Sequence, residues 1–330
     1  MTPAAHVVAS TAGTADMARC RSFNGAADLP ALARLLVACD ADRYGEHYTL
    51  HYFRPARTDS GMRTGWDARL WEAPPAGETA GAPAAPLVAC ALVAGTSLHF
   101  HIHPAWRGGE IAHATMDWME ARGAELAREQ PVTLSARCAD NDAHRADVLQ
   151  RRGFAPAAKH LLRMTRSLAQ PPPDPQLPDG FTIQRLGEKT TDAQFASFAA
   201  AFNAAMGGGS AAQHWRERVS DPEGVPPIGL VGPDGAVAAV CVCRVYRHHN
   251  EAFGVREGWI EQMGTREEFR RRGLGRAALR AGLRLLRERG ADTAVLETGS
   301  TNERSRPLYE SEGFATVLRI HSYRKIVLGP

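Results

Sequence analysis

A chain of 330 residues is longer than one hydrophobic core usually supports, so the length predicts two domains of ordinary size. Hydrophobic residues make up 44% of the chain and charged residues 23%, which is typical of a globular protein in water. No apolar stretch reaches the roughly 20 residues that a membrane-spanning helix needs. The net charge of +3 is too small and too dispersed to indicate a nucleic-acid partner.

The N-terminal segment and the cysteines both predict a cytoplasmic protein. Residues 1–19 lack the basic region and apolar core of a signal peptide, and we expect them to form a disordered tail. The six cysteines include no CxxC pair and no paired spacing of a zinc site. Cys241 and Cys243 alternate along the apolar run AVAAVCVCRVY, so they should lie on one face of a strand as buried, reduced thiols.

A proline-rich segment divides the chain almost in half. Residues 170–180, QPPPDPQLPDG, contain prolines that cannot donate backbone hydrogen bonds, which predicts an extended linker between residues 20–169 and residues 181–330. Each half opens with a short strand and an apolar helix: CRSF with LPALARLLVACD, then FTIQRL with AQFASFAAAFNAAM. Each half then has a strand, an Arg-Gly loop and a helix, and ends on a short helix closed by Gly-Phe.

The two halves also keep nearly constant offsets. The Gly-Phe pairs at residues 153–154 and 313–314 are 160 positions apart, and the loop arginines Arg107 and Arg270 are 163 apart. Loops rarely preserve such offsets by chance. The chain is therefore predicted to be a duplicated α/β domain.

The segment from Gly258 to Gly290 is predicted to form a strand, a loop and a helix, with Gly290 ending the helix in a left-handed cap. Arg270, Gly273 and Gly275 lie between the strand and the helix. A helix N-terminus presents free N–H groups and about half a positive charge, and glycines let the backbone close on a diphosphate. The loop is thus a candidate anion site. Taken alone, it is equally compatible with a solvated arginine cluster on an ordinary connection.

A second motif follows the next predicted strand, ADTAVLETG. Asn302 comes soon after this strand, and Tyr309 follows seven residues later in NERSRPLYESEGF. Pro307 suits the first turn of a helix and Gly313 suits its end. Tyr309 should therefore project from a short helix beside the strand ends.

Together these motifs resemble the GNAT superfamily of N-acetyltransferases. The pattern is R-x-x-G-x-G from Arg270 to Gly275, then Asn302, then Tyr309 before Gly-Phe, and it covers residues 258–314 well. The resemblance implies acetyl-CoA as co-substrate, no metal, and two tandem GNAT-like domains of mixed α/β sheet, similar in layout to mycothiol synthase. It implies CoA contacts on the strand, on the loop and on the asparagine, at Met263, Gly264, Thr265, Arg270, Arg271, Arg272, Gly273, Leu274, Gly275, Arg276 and Asn302.

The same resemblance assigns the proton transfers to Tyr309 and a glutamate. It implies that Tyr309 protonates the departing thiolate. Glu297, five residues before Asn302, resembles the base of the ribosomal-protein alanine acetyltransferases. Glu261 is the alternative base, because it lies in an otherwise apolar strand where burial would raise its pKa. A chain of water molecules to either glutamate would also serve, since an amine needs only a modest base.

The first half differs from the second at the functional positions. Aligned on Arg107, it has Glu110 where the second half has Gly273, and aligned on Gly-Phe it has Leu149 where the second half has Tyr309. A carboxylate at the glycine position opposes phosphate binding. We therefore predict a degenerate first domain and a catalytic second domain.

These observations predict an N-acetyltransferase that moves an acetyl group from acetyl-CoA to a primary amine. The expected acceptor is a small-molecule amine or a protein N-terminus, and no nucleic acid or membrane is expected as a partner. The alternative is a non-catalytic protein that senses CoA and binds a partner through its first domain. Tyr309 favours the enzyme, because a sensor has no need of a proton donor.

Overall fold

The computed structural model describes residues 18–40, 50, 53, 66–74, 85–107, 109–126, 130–221 and 224–328. All but the last two residues of the predicted N-terminal tail lie outside the described residues. The chain falls into two compact units. The first is drawn mainly from residues up to Leu134, and the second mainly from Ser135–Lys325.

The first unit contains an antiparallel sheet with helices against it. Its elements are β1 (Arg19–Ser22), α1 (Leu29–Ala38), β2 (Trp66–Glu72), β3 (Leu87–Ala94), β4 (Ser97–Ile102) and α2 (Glu110–Leu126). The strands follow the order β1-β2-β3-β4. The apolar sequence of β3, LVACALVA, is buried almost throughout, because strands flank both of its edges and α1 and α2 pack against it.

The second unit contains a mixed sheet. β5 (Val132–Ala139) begins in the first unit and ends in the second. The other elements of the second unit are α3 (Ala143–Arg151), β6 (Ala155–Ser167), β7 (Thr182–Arg185), α4 (Asp192–Met206), α5 (Ala212–Ser220), β8 (Ile228–Val231), β9 (Val237–Arg244), α6 (Arg247–Phe253), β10 (Glu257–Thr265), α7 (Leu274–Glu288), β11 (Thr293–Gly299), α8 (Arg306–Ser311) and β12 (Ala315–Val327). The strand order is β12-β6-β11-β10-β9-β8-β7, with β10 and β11 parallel.

The central strand β9 is covered on both faces, which explains its unbroken apolar sequence. Cys241 and Cys243 face the core shared with α7, and Val240 and Val242 face the core shared with α4 and α5. The two cysteines are buried with their sulfur atoms 3.8 Å apart, so the predicted alternation is confirmed. α7 approaches them closely, because a Cβ on Gly282 would lie 2.7 Å from the sulfur of Cys241.

The two repeats end in the same way. β6 and β12 are each 13 residues long and begin 160 positions apart. Before each strand, a glycine in the left-handed region ends the short helix, Gly153 at φ +77° and Gly313 at φ +85°. The N–H groups of Phe154 and Phe314 then donate to carbonyl oxygens five residues back, at 3.0 Å in both cases. The predicted tandem α/β architecture is confirmed.

β6 belongs to the first repeat in sequence and to the second unit in space. It lies between β11 and β12 and pairs antiparallel with both. The main segment of the second unit, Ser135–Lys325, therefore includes β6, whereas the sequence repeats divide at the proline-rich linker. The linker lies along α7, where Arg280 and Arg284 donate to the carbonyl oxygens of Asp174 and Pro172 at 3.3 and 3.4 Å.

Candidate active site

β10 and β11 separate at Glu261. The two strands pair in parallel as far as Ile260 and Leu296. Glu261 is then an extra residue in the register of β10 against β9, which makes a β-bulge. Beyond the bulge, residues 263–265 still pair with β9, whereas the described pairing with β11 ends at Ile260. Backbone groups on that edge of β10 are therefore open to an extended ligand.

A groove of about 780 Å³ lies at this edge. Its walls are the end of β10, the loop before α7 and the loop leading into α8. Part of the predicted CoA site lines it, namely Met263, Gly264, Thr265, Arg270, Arg271, Gly275 and Asn302. The sequence did not single out the remaining lining residues, which are Ala205, Glu267, Glu303, Arg304, Ser305 and Leu308.

The end of α4 approaches the groove at Gly264. A Cβ on Gly264 would lie 2.7 Å from the Cβ of Ala205 and 3.1 Å from the sulfur of Met206. Only glycine lets the helix come this close to the strand. In the sequence, the only indication of this contact between α4 and β10 is a glycine within the predicted strand.

The loop before α7 has the backbone of an anion site. Gly273 directly precedes the helix at φ +81°, and Arg271 has φ +63°, so both lie in the left-handed region. The first bond into the helix runs from the N–H of Ala277 to the carbonyl oxygen of Gly273, at 3.1 Å. The earlier N–H groups of the first turn thus have no acceptor within the helix. The space beside Gly273 is open, since an added Cβ would meet nothing within 4 Å, which leaves the backbone there accessible to an anion.

Three loop residues that were predicted to contact CoA instead contact other parts of the protein. Leu274 is 1% exposed and belongs to the core beneath α7. The guanidinium of Arg272 lies 5.5 Å from the centre of the Phe269 ring. Arg276 pairs with the buried carboxylate of Glu312 at 2.6 Å, which ties the first turn of α7 to the end of α8.

Arg270 stabilises the turn between β10 and α7. Its Nε donates to the carbonyl oxygen of Thr265 at 3.2 Å, and its guanidinium lies 3.5 Å from the carboxylate of Glu267. Both contacts are local. Arg270 therefore shapes the loop as well as lining the groove.

Asn302 organises the opposite wall. Its side-chain amide donates to the hydroxyl of Thr298 at 2.9 Å and accepts from the N–H of Ser305 at 3.2 Å. These bonds fix the loop that leads into α8. Asn302 thus positions the helix that carries Tyr309.

Tyr309 is 8% exposed, and its ring packs edge-on against Phe314 with the ring centres 6.1 Å apart. Burial raises the pKa of Tyr309 above its ordinary value, although a hydrogen bond with the Ser305 side chain acts in the opposite direction. The phenol is consequently neutral and able to donate a proton at physiological pH. Its neighbours Ser305 and Leu308 line the groove.

Glu261 is held by three donors. Arg218 donates to its carboxylate at 2.6 Å, Arg244 donates at 3.1 Å, and the hydroxyl of Tyr246 also donates to it. Burial acts to raise the pKa of Glu261, but the two arginines and the hydroxyl outweigh burial and lower that pKa. The raised pKa expected from the sequence is therefore wrong. The sequence did not reveal that Arg218, 43 residues earlier, reaches this carboxylate.

Glu297 lies near the end of β11 between two arginines. Arg137 and Arg163 donate to its carboxylate at 2.5 and 3.0 Å, and its side chain is 10% exposed. The guanidinium of Arg163 also lies 4.9 Å from the centre of the Trp259 ring. Both candidate bases thus already accept charge-assisted hydrogen bonds from two arginines each.

Comparisons with known proteins identify the family. Residues 193–314 match the family model described as "Acetyltransferase (GNAT) family". The mycothiol acetyltransferase of Thermobispora bispora is 30% identical over an alignment of 221 residues, and the match covers 64% of this chain and 70% of that protein. The chain belongs to the GNAT acetyltransferase family. Members of this family transfer acyl groups and use acetyl-CoA.

The GNAT likeness extends over nearly the whole chain. The mycothiol acetyltransferase of Salinispora tropica is 28% identical over 308 residues, covering 88% of this chain and 89% of that protein. A solved GCN5-related N-acetyltransferase from Sphaerobacter thermophilus has the same fold, with a TM-score of 0.70 at 24% identity, covering 96% of this chain and 98% of that one. The mixed sheet with its two repeats is therefore a tandem GNAT architecture.

The described residues contain neither a cluster of metal-ligating side chains nor a helix that could span a membrane. No group of three or more His, Cys, Asp or Glu side chains there could hold a metal ion. In the same part of the chain, every helix is too short or too polar to cross a lipid bilayer.

Proposed function

We propose that the second repeat transfers an acetyl group from acetyl-CoA to a primary amine by direct attack of the amine on the thioester. The observation that carries the proposal is the groove, which joins the open edge of β10, the N-terminus of α7 and the loop before Tyr309. Together these supply the groups needed to bind a diphosphate, an extended arm and a thioester.

Each wall of the groove has a distinct task in this proposal. The first-turn N–H groups of α7 and Arg271 bind the diphosphate. Backbone groups of residues 263–265 hold the pantetheine arm along the edge that β11 leaves free. Such positioning supplies much of the rate, because a thiolate is already a fair leaving group.

Tyr309 is the proposed general acid, and Glu297 the proposed base. Tyr309 donates a proton to sulfur as the C–S bond breaks, and the raised pKa keeps the phenol protonated. Glu261 is the poorer base because three donors occupy it and its pKa is lowered. Glu297 has two donors and accepts the proton of the amine through water.

The acceptor we propose is a small-molecule amine or a protein N-terminus. Both relatives described above are named mycothiol acetyltransferase, so the amine precursor of mycothiol is the first candidate to test. Purified protein should release free thiol from acetyl-CoA when the matching amine is present. Binding of CoA without thiol release across a broad panel of small amines and N-terminal peptides would instead support the non-catalytic sensor.

A further inference from the structure

Two arginines of the groove have no ionic partner among the described residues. Arg270, Arg271 and Arg304 all line it, and Arg270 is engaged by Thr265 and Glu267. Arg271 and Arg304 form no hydrogen bond or ion pair with the part of the chain that the structure describes. A groove that keeps free guanidinium groups is suited to a ligand with several negative charges.

These two arginines lie on different walls. Arg271 is in the loop before α7, where the free N–H groups of the helix lie. Arg304 is on the opposite wall, in the loop that Asn302 fixes before α8. A diphosphate bound at the N-terminus of α7 would meet Arg271, which leaves Arg304 free for another anionic group of the same ligand.

Coenzyme A carries three phosphates, two in its diphosphate and one on the 3′-carbon of its ribose. We infer that Arg304 binds the 3′-phosphate and so makes the protein select acetyl-CoA over acetyl-3′-dephospho-CoA. The inference rests on the proposed function, because it assumes that CoA occupies the groove. It adds a residue that recognises a part of the ligand remote from the thioester.

The first repeat differs at both arginine positions. At the offsets that align the repeats, Gly108 replaces Arg271 and His144 replaces Arg304. The same repeat has Glu110 at the loop glycine and Leu149 at the tyrosine. Both free guanidinium groups are thus absent from the repeat that has lost the other ligand-directed residues.

The test compares two ligands that differ only in the 3′-phosphate. Calorimetric titration should show tighter binding of CoA than of 3′-dephospho-CoA to the wild-type protein. Arg304→Gln should weaken CoA binding by about 10- to 100-fold and leave 3′-dephospho-CoA binding unchanged, because one charge-assisted contact is lost. Arg271→Gln should weaken both ligands to a similar degree, since both carry the diphosphate.

Two further variants serve as controls. Arg306→Gln removes a nearby arginine that pairs with Glu310 at 3.4 Å, and it should leave the preference intact. Glu303→Gln removes a negative charge beside Arg304, and it should tighten CoA binding more than 3′-dephospho-CoA binding.

Equal binding of the two ligands to the wild-type protein would overturn the inference, as would an equal loss for both in Arg304→Gln. Acetyl transfer with equal use of both acetyl donors would refute the role of Arg304 and leave the proposed function standing. A preference for CoA over 3′-dephospho-CoA without any acetyl transfer would support the role of Arg304 and refute the proposed function.

Discussion

Arg107 and Arg270 donate the same hydrogen bond in the two repeats. The Nε of Arg107 donates to the carbonyl oxygen of Ile102 at 3.3 Å, and that of Arg270 donates to the carbonyl oxygen of Thr265 at 3.2 Å. In each case the acceptor lies five positions back, across a short 3₁₀ turn. The first repeat keeps this contact although Glu110 occupies the loop glycine position. The bond therefore stabilises the turn whether or not the loop binds a ligand.

Arg107→Gln should lower the midpoint of thermal unfolding and leave acetyl-CoA affinity unchanged. The expected loss is about 1.5–3 kcal/mol, the usual contribution of a hydrogen bond to a charged group. Arg270→Gln should lose similar stability and also bind acetyl-CoA more weakly, because Arg270 lines the groove. Thermal melts and calorimetric titration of both variants measure the two effects. Weaker CoA binding in Arg270→Gln with unchanged melting would show that its contact with ligand, and not with Thr265, is what matters.

Tyr309→Phe should lower kcat by roughly 10- to 1000-fold with little change in the KM for acetyl-CoA. Because burial raises the pKa of Tyr309, the neutral acid persists past pH 10, and the wild-type rate should decline only at higher pH. That alkaline decline should vanish in the variant. Tyr323→Phe, at a buried tyrosine on β12, is the matched control and should leave kcat unchanged. Equal turnover by Tyr309→Phe and wild type, with chemistry rate-limiting, would exclude Tyr309 as the acid.

Glu297→Gln should reduce the rate most at low pH, where the amine is hardest to deprotonate, and lose less as the pH rises. The measurement is a pH–rate profile with a fixed amine acceptor. If Glu261→Gln shows this profile and Glu297→Gln does not, the base is Glu261.

Glu261→Gln should instead destabilise the fold by about 3 kcal/mol near neutral pH, since it leaves Arg218 and Arg244 without their carboxylate. The folded-state pKa of Glu261 is lowered, so the stability from its ionised form is present above about pH 4.3 and is lost as the pH falls through the folded value. Urea unfolding at several pH values should show the wild type and the variant converging in acid. A constant difference in stability down to pH 2 would contradict the ion-pair explanation.

One CoA should bind per chain, in the second repeat. Gly273→Glu should abolish binding, because it introduces a side chain at φ +81° and a negative charge beside the diphosphate site. Coulomb repulsion between unit charges 4 Å apart is about 4 kcal/mol at an effective dielectric constant of 20. Glu110→Gly should leave the stoichiometry at one. Calorimetric titration that finds two comparable sites per chain would refute the degenerate first repeat.

The sequence by itself determined the two repeats, the loop before α7 and the helix of Tyr309. These features depend on local rules: glycines for left-handed backbone, proline in a first helical turn, and apolar residues at the period of each element. A duplicated domain carries the same local signals in both copies. β6 and β12 therefore begin 160 positions apart.

Only the tertiary structure decided which arginines contact the two candidate bases and which strands β6 pairs with. Arg137 is 160 residues from Glu297, and Arg218 is 43 residues from Glu261. No local pattern signals such partners, because a strand specifies its apolar faces and not which strand will pair with its edge. The pairing of β6 with β11 puts Arg163 beside Glu297, and the bulge at Glu261 depends on the register with β9. The environment of a buried carboxylate is set by residues that only folding brings together, so its protonation could not be predicted from its own segment.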